Sequence, residues 1–238
     1  MMRNKIAAYA QKYHGDWSKI AKAIACNESA QFVNSDLNFV TIVDQQYPDC
    51  FRRLRFPPWI FYYEGNLDLL NRPSVAIVGS RRLCSYASMV IERLVHANIE
   101  KVIVSGLAKG ADAKAHQCAY KTIGVLGCGL DVAYPKENRE LIDWMKRHQL
   151  VISEYPCGTM PMKHHFPWRN RLIAALSDHV VAVQAKIKSG TSTTIMHANE
   201  LSKPVYCVPY PLDDSQGEGC NYFIAQGAQI LLSADEKF

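Results

Sequence analysis

The chain has 238 residues, of which 48% are hydrophobic, 21% charged and 10% aromatic, and its formal net charge is +5. This composition excludes an intrinsically disordered protein and is enough for one large domain with a small addition. No run approaches the roughly 18 apolar residues of a membrane span, and the N-terminus lacks the apolar core of a signal peptide, so we expect a cytoplasmic protein. The eight cysteines are too widely spaced for a paired zinc knuckle or a Cys-x-x-Cys redox pair.

Residues 1–56 are predicted to form a helical leader and a connector. Apolar residues recur at helical spacing from Ile6 to Tyr13 and again from Ile20 to Ile24. The stretch that follows is aromatic and interrupted by proline, which is typical of a connector packed against the next domain. We therefore place the domain boundary between residues 56 and 57, with one larger domain over 57–238.

In the larger domain, short apolar runs alternate with segments of helical length. The predicted strands are 75–79, 101–106, 122–127, 150–154, 179–184 and 204–209. The predicted crossover helices lie within 84–98, 109–121, 136–148, 168–177 and 191–202. Continuous apolar strands separated by helices predict an α/β, Rossmann-like, doubly wound and mainly parallel sheet. Ligands bind such sheets beyond the carboxyl ends of the strands.

Glycine, hydroxyl and basic residues follow several of these strands. Backbone N–H groups converge in such loops, and arginine offers a planar fork that matches phosphate oxygens. Each loop alone is weak evidence because glycine after a strand is usually turn chemistry, but together they predict an anion-binding edge. The loop residues are Gly79, Ser80, Arg81, Arg82, Ser105, Gly106, Lys109, Lys163, Lys186, Lys188, Ser189, Gly190 and Thr191.

Two common nucleotide-binding signatures are missing. Gly79 is followed by Ser80 and Arg81, so the GxGxxG pattern of a dinucleotide site is not formed. The Walker pattern GxxxxGK[ST] is also absent from the sequence. We therefore expect neither a dinucleotide cofactor nor the usual machinery of an NTPase.

The titratable residues near the strand ends favour structural roles over catalysis. Asp112 and His116 stand four residues apart on a predicted helix, with no linked serine or cysteine nucleophile, so we expect them to brace that helix. Glu154 follows a strand and is expected to pair with a nearby arginine. His164 and His165 lack a third ligand at metal spacing, so no metal site is expected.

The segment around the start of the fourth predicted helix, 163–171, mixes aromatic and basic residues. Phe166 and Trp168 alternate with Lys163, Arg169 and Arg171. Single-stranded nucleic acid needs this combination, because cations bind its phosphates and flat rings stack on its bases. Alternatively, either aromatic residue belongs to the core at the start of the helix.

With these motifs, the sequence resembles the DNA-processing protein A family, also called Smf. The resemblance covers about residues 57–232, and its motifs occur in the family's order. They are VAIVGSR, IVSGLAKGADAKAH, TIGVLGCGLDVAYPKENREL, ISEYPCGTMP, FPWRNRLIAALSD, KSGTSTT and GCNYFIAQGA.

The resemblance implies a non-catalytic, dimeric protein that binds single-stranded DNA during natural transformation, protects incoming DNA and helps to load the RecA recombinase. It implies no cofactor and no membrane association. The family's DNA pocket falls here on the Gly79–Arg81 loop, on Lys163 and Phe166, on Arg169, Asn170 and Arg171, and on Ser189 and Gly190. Arg82, Ser105, Gly106, Lys109 and Thr191 are added from the strand-end loops.

The sequence departs from the family pattern at several points. Trp168 replaces a basic residue of many relatives, so a phosphate contact is lost or a stacking contact is gained. Gln184 stands where many relatives carry Glu, which weakens an acidic role there. The chain ends at Phe238, so we expect no C-terminal winged helix.

Two other functions remain open on this scaffold. A nucleotide or phosphoribosyl hydrolase of the lysine-decarboxylase-like type would carry PGGxGTxxE, whereas the matching segment reads KSGTSTT over 188–194. The missing second glycine and the missing acid argue against it. A module that senses a small signalling nucleotide in the same pocket is the other alternative.

Overall fold

A mostly parallel sheet organises the chain, of which the computed structural model describes residues 2–31 and 38–238. The strands of this described part are β1 (Asn38–Thr41), β2 (Ile60–Gly65), β3 (Ser74–Gly79), β4 (Val102–Ser105), β5 (Thr122–Leu126), β6 (Leu150–Ser153), β7 (His179–Gln184), β8 (Val205–Cys207) and β9 (Gln229–Ile230). Their order across the sheet is β1-β2-β6-β5-β4-β3-β7-β8-β9. The first two strands pair antiparallel, as do β2 and β6, and the other pairs are parallel.

Helices cover both faces of this sheet. They are α1 (Met2–Lys12), α2 (Trp17–Ala25), α3 (Asp49–Arg52), α4 (Ser85–Ala97), α5 (Ala111–Cys118), α6 (Arg139–His148), α7 (His165–Leu176), α8 (Gly190–Glu200) and α9 (Glu218–Ala225). The chain passes from β3 outward through β4, β5 and β6 and then returns to β7 on the other side of β3. Right-handed crossovers place α4, α5 and α6 on one face and α7 and α8 on the other.

The predicted fold class is confirmed. Each of the predicted strands between 75 and 209 is present, and α4, α5 and α6 lie within their predicted segments. Helix α7 begins three residues before its predicted segment, and α8 begins one residue before its own. These strands are fully buried over most of their length because helices lie on both faces, which explains their continuous apolar runs. None of the described helices combines the length and the hydrophobicity needed to cross a membrane.

The N-terminal helices pack on the sheet and not beside it. Ile6, Tyr9 and Ile20 are buried in one cluster with Tyr62 of β2 and Val151 of β6. The helical part of the leader prediction is confirmed, but the sequence analysis missed β1, β2 and the short β9. Strand β1 lies before the proposed boundary at 56/57 and pairs with β2 after it. The division into 1–56 and 57–238 stays a prediction.

Candidate nucleic-acid interface

A cleft of about 570 Å³ opens beyond the carboxyl ends of β3 and β7. The strand order reverses at this pair, because the crossovers leave β3 in one direction and return to the other side of it. Adjacent loops diverge at such a switch point and leave a crevice between them, which is where doubly wound sheets bind ligands. The cleft volume suits a small ligand or a short stretch of a polymer.

The loop after β3 forms one wall. Gly79 has no room for a side chain, because a Cβ would lie 2.8 Å from Ala111 Cβ and from Val183 Cγ2. The Ser80 hydroxyl accepts a hydrogen bond from the Arg82 backbone N–H at 3.0 Å and closes a tight turn. This turn directs the exposed Arg81 side chain along the cleft.

Gln184, at the end of β7, fixes the same loop through two side-chain hydrogen bonds. Its side-chain Oε1 accepts from the Cys84 backbone N–H at 3.0 Å, and its side-chain Nε2 donates to the Arg82 backbone carbonyl at 3.2 Å. A glutamate could accept the first bond but could not donate the second at neutral pH. The amide at this position therefore has a structural role that uses both its donor and its acceptor.

Gly110 supports the loop from the side. Its φ is +73°, and a Cβ there would lie 2.4 Å from the Ser80 carbonyl oxygen. The neighbouring Ala111 N–H donates to that same oxygen at 3.1 Å. The loops after β3 and β4 are therefore joined backbone to backbone, which only glycine at position 110 permits.

The opposite wall is the start of α8. Ser189 caps this helix, and its hydroxyl and that of Ser192 form a reciprocal capping box. Gly190 is exposed, with open space around the position that a Cβ would occupy, and Thr191 follows it in the cleft lining. The helix N-terminus therefore directs its positive end toward the cleft, where it favours an anion.

Four exposed cations line the cleft: Arg81, Lys163, Lys186 and Lys188. Among the described residues, no carboxylate forms an ion pair with any of them. Their charges are therefore not neutralised by the protein itself. A cleft lined by one sign of charge concentrates anions of the opposite sign.

Aromatic rings lie beside these cations. Phe166, on the first turn of α7, is half-buried and has the Arg81 guanidinium 5.6 Å from its ring centre. Tyr134 packs against Phe166 with ring centroids 5.4 Å apart. Gly127 makes room for Phe166, because a Cβ there would lie 3.1 Å from the Phe166 ring. Phe166 therefore belongs to the cleft and not to the core.

Arg169 forms the floor of the cleft and is almost fully buried. Its Nη1 donates to the carbonyls of Gly106, at 2.7 Å, and Val125. Gly106 leaves space for this guanidinium, since a Cβ there would lie 2.5 Å from Arg169 Nη2. Burial lowers the pKa of Arg169, and the negative charge of Asp112 opposes that effect.

Asp112 stabilises the loop after β4. Its carboxylate accepts from the backbone N–H groups of Gly106, at 3.1 Å, and Ala108, at 3.3 Å. Burial raises the pKa of Asp112, while the Arg169 charge and these hydrogen bonds act in the opposite direction. Asp112 was expected to brace its own helix, but these bonds instead stabilise the loop that precedes α5.

Asn170 connects the two helices at the cleft. Its side-chain amide donates to the Gly190 carbonyl at 3.0 Å and to the Thr193 hydroxyl at 2.8 Å. The start of α8 is thereby fixed to α7.

The structure brings most of the predicted site residues to one place. Those that line the cleft are Gly79, Ser80, Arg81, Lys163, Phe166, Arg169, Asn170, Ser189, Gly190 and Thr191. Lys109 and Gly106 line a smaller recess beside it. Lys109 pairs with Glu137, with 2.5 Å between Nζ and Oε1.

Three predicted residues lie elsewhere. The buried Ser105 hydroxyl donates to the Ile77 carbonyl at 2.7 Å and is a core contact. Arg82 is exposed and contributes its backbone to the loop anchor, outside the cleft lining. Arg171 is buried against Glu154, with 2.7 Å between Nη2 and Oε1, so its guanidinium does not reach the cleft.

Comparison with known proteins identifies the chain. The sequence profile of a family described as DNA recombination-mediator protein A matches residues 38–238. This chain belongs to that family. The match includes both walls of the cleft and the whole described sheet.

Two curated relatives support membership in the DNA recombination-mediator protein A family. DNA processing protein DprA of Streptococcus pneumoniae is 41% identical over 201 residues, which cover 82% of this chain and 71% of the relative. DNA processing protein DprA of Bacillus subtilis is 35% identical over 241 aligned positions, which cover 98% of this chain and 80% of the relative.

Solved structures show the same fold. The X-ray structure of DNA processing protein A from Streptococcus pneumoniae superposes with a TM-score of 0.83 at 35% identity, over 97% of this chain and 90% of that one. A structure of DNA processing protein A from Helicobacter pylori, which concerns the single-stranded DNA binding mode of that protein, superposes with a TM-score of 0.76 at 36% identity. It covers 85% of this chain and 94% of that chain.

Trp168, one of the departures from the family pattern, packs against protein groups. Its ring centre lies 5.6 Å from that of Phe56 in the connector, and the Arg171 guanidinium lies 4.1 Å over it. Arg171 also donates to the Phe56 carbonyl at 3.0 Å. Trp168 therefore holds the connector to α7.

The remaining titratable candidates are also used inside the protein. His116 is buried, and its Nδ1 lies 2.6 Å from the Thr122 hydroxyl. His165 is buried and stacks on Tyr155 with ring centroids 4.1 Å apart. The pairing expected for Glu154 is confirmed by its contact with Arg171. No cluster of three potential metal-ligating His, Cys, Asp or Glu residues occurs in the described ranges.

Sequence reasoning missed Tyr134 as a cleft residue. It lies after β5, in the segment GCGLDVAYP, and is 37% exposed. The sequence signal was an aromatic residue in the loop after a predicted strand, at the same edge as the basic loops. Lys136 stands two residues after Tyr134 in the sequence, but it does not line the cleft, and the cation that lines the cleft with Tyr134 is Arg81 from another loop.

Proposed function

We propose that this chain is a non-catalytic protein that binds single-stranded DNA in its cleft. The observation that carries the proposal is a set of exposed cations, without ion-pair partners in the described part of the chain, that line one cleft with aromatic rings. The cations are Arg81, Lys163, Lys186 and Lys188, and the rings are Phe166 and Tyr134. Cations grip the phosphates of any sequence, and a ring stacks on any base, so this combination suits sequence-independent binding. The Helicobacter pylori relative, whose structure concerns single-stranded DNA binding, supports the proposal.

A narrower set of contacts follows from the geometry. Arg81, Lys163, Lys186 and Lys188 supply charge, and the Gly79–Ser80 turn and the first residues of α8, Gly190 and Thr191, supply backbone N–H groups. Arg169 holds the floor of the cleft through the Gly106 and Val125 carbonyls, and Asn170 fixes the start of α8 to α7. Arg82, Ser105 and Arg171 are left out because their side chains do not line the cleft.

The geometry also favours binding over catalysis. Among the described residues that line the cleft, Asp112 is the one carboxylate, and it accepts hydrogen bonds from two backbone N–H groups. An acid or base for hydrolysis would need access to a substrate proton, which this buried carboxylate lacks. Incubation with nucleoside monophosphates should therefore release no free base. Release that tracks with the purified protein would overturn the non-catalytic part of the proposal.

The biological setting is proposed from the family. We place the chain in the cytoplasm, as a homodimer that protects incoming single-stranded DNA during natural transformation and promotes loading of the RecA recombinase. The match to a family described as DNA recombination-mediator protein A supports the part of this setting that concerns recombination. Sedimentation should show a dimer, and RecA filaments should form faster on oligonucleotides that carry the protein. A monomer, or a filament rate that does not change, would contradict these two parts separately.

Salt dependence tests the site itself. For single strands, the logarithm of the binding constant falls by about 0.7 per logarithm of salt for each phosphate neutralised. Arg81→Ala and Lys163→Ala should each reduce that slope by about 0.7 if each cation holds one phosphate. The measurement is binding of a labelled oligo(dT) series at several salt concentrations.

Lys19→Ala provides the matched control. Lys19 is an exposed cation on α2, where it pairs with Asp16 at 3.5 Å, away from the cleft lining. Its removal should leave the slope unchanged. Equal slopes for the unmodified chain, Arg81→Ala and Lys163→Ala would reject the cleft as the phosphate site.

A further inference from the structure

The two rings of the cleft differ in the surface that they leave free. Phe166 has Gly127 at its edge, Tyr134 beside it and the Arg81 guanidinium 5.6 Å from its centre. Tyr134 is 37% exposed and packs against Phe166 at an interplanar angle of 32°. Phe166 is therefore largely surrounded, while Tyr134 is the outer ring of the pair.

The backbone around Tyr134 is held in place. Pro135, which follows it, is buried, and the Pro135 carbonyl accepts from the Asn138 backbone N–H at 3.1 Å. The Asn138 side-chain amide donates to the carbonyls of Leu107, at 2.9 Å, and Ala108, at 3.1 Å. Tyr134 therefore projects from a segment fixed to the loop after β4, and its ring is positioned before any ligand arrives.

The ring also lies within reach of the cations. Tyr134 lines the main cleft together with Arg81 and Lys163, and it lines the neighbouring recess with Arg81. A nucleotide whose phosphate is held by these cations would bring its base to the aromatic side of the cleft. Stacking contributes most where the ring is rigid and its outer surface is free.

We propose that Tyr134 is the surface on which a base of the bound single strand stacks, with Phe166 as the support behind it. This inference rests on the proposed function and adds a residue that contacts a base of the bound DNA. Its contact is with the base and not with phosphate, so it contributes to affinity and not to the salt slope. Every base has a flat face, so the contact is tolerant of sequence.

The test compares two oligonucleotides of equal length and charge: labelled oligo(dT) and the same chain with abasic residues. Tyr134→Leu keeps apolar bulk but removes the ring, and should weaken binding of oligo(dT) by about 5- to 150-fold. Binding of the abasic chain should not change. Tyr134→Phe keeps the ring and should bind both probes as the unmodified chain does.

Tyr120→Leu is the matched control. Tyr120 is 71% exposed and precedes β5, at the opposite end of the strand from Tyr134. Its replacement should change neither probe. If Tyr134→Leu binds oligo(dT) like the unmodified chain, or loses affinity for both probes equally, the stacking role is wrong.

Photo-crosslinking gives a second readout that needs no variant. The unmodified chain, irradiated with an oligonucleotide that contains 5-iodouracil, should yield a crosslinked peptide at Tyr134. A crosslink confined to other residues would overturn the inference. Failure of the unmodified chain to bind oligo(dT) would overturn the proposed function itself, and is thereby distinguished from the loss of Tyr134 alone.

Discussion

Lys163, a cation of the cleft, and the arginines of α7 are close in sequence but differ in what surrounds them. Lys163 is exposed and has no carboxylate partner among the described residues, whereas Arg169 and Arg171 are buried. Arg169 binds backbone carbonyls beneath the cleft, and Arg171 binds Glu154 and the connector. A basic motif can therefore contain both the residues that contact a ligand and those that hold the loops in place.

The chemistry of the two side chains explains this difference. The planar guanidinium has several N–H donors in a fixed fork, so one arginine can satisfy more than one carbonyl. Arg171 uses its Nε, Nη1 and Nη2 on three separate acceptors. The cleft lysines instead carry a compact charge on a flexible side chain, which can follow a phosphate whose position varies.

The largest effect should come from Arg171→Ala. The replacement leaves the buried Glu154 carboxylate without its cation, and loss of one member of a buried pair typically lowers the free energy of unfolding by about 3–5 kcal/mol. Urea denaturation measures this loss. The salt slope for oligo(dT), measured where the variant is folded, should match that of the unmodified chain.

Arg81→Ala is the counterpart in the cleft. It should reduce the salt slope and leave the free energy of unfolding nearly unchanged, because Arg81 is exposed and has no ion pair among the described groups. The distinction between the two classes of cation fails if Arg171→Ala reduces the salt slope while stability is retained.

His116 is a buried residue for which a smaller effect on stability is expected. Burial, followed by the positive charge of Arg169, lowers the pKa of His116 to about 3 from its ordinary value of 6.5. Between these values the unfolded chain takes up a proton that the folded chain does not, so stability falls as the pH falls from 6.5. At pH 4.5 the cost is about 2–3 kcal/mol, and His116→Gln should remove it.

The measurement is denaturation of both proteins at pH 4.5 and pH 7.5. The replacement should narrow the stability difference between the two pH values. If both proteins lose the same stability on acidification, His116 does not remain neutral in the folded chain.

The smallest effect is expected at Lys109, which is exposed like the cleft cations but paired with Glu137. Lys109 lowers the pKa of Glu137 through their hydrogen bond, so Glu137 keeps its negative charge beside Lys109 over the neutral range. Glu137→Gln should release Lys109 and tighten binding of oligo(dT) by about two- to fivefold at low salt. Glu140→Gln removes an acid from the same region without a Lys109 contact and should have less effect. Equal gains for both would show that only net charge matters.

Sequence patterns predicted the central sheet because β3 to β8 are buried on both faces and therefore continuously apolar. Strand β2 was missed because it follows Pro57 and Pro58 and pairs with β6, whose partner residues lie far along the chain. Such pairing depends on tertiary context, and local propensity does not reveal it.

The candidate site was predictable where a loop supplies its own chemistry. Arg81 follows a strand directly, and Lys163 precedes a helix, so both were found. Arg171 was misplaced because spacing along a helix does not tell which side faces the cleft. Tyr134 required knowledge of which loops meet in space.

The bonds from Asn170 to Gly190 and Thr193 have a thermodynamic consequence. They join α7 to the start of α8, which forms one wall, so this wall has little conformational freedom to lose when a ligand enters. The entropic cost of binding should then come mainly from the ordering of the flexible single-stranded DNA. Longer oligonucleotides should therefore show the larger entropic penalty. Calorimetry of Asn170→Ala with a short oligo(dT) should show a less favourable binding entropy than the unmodified chain.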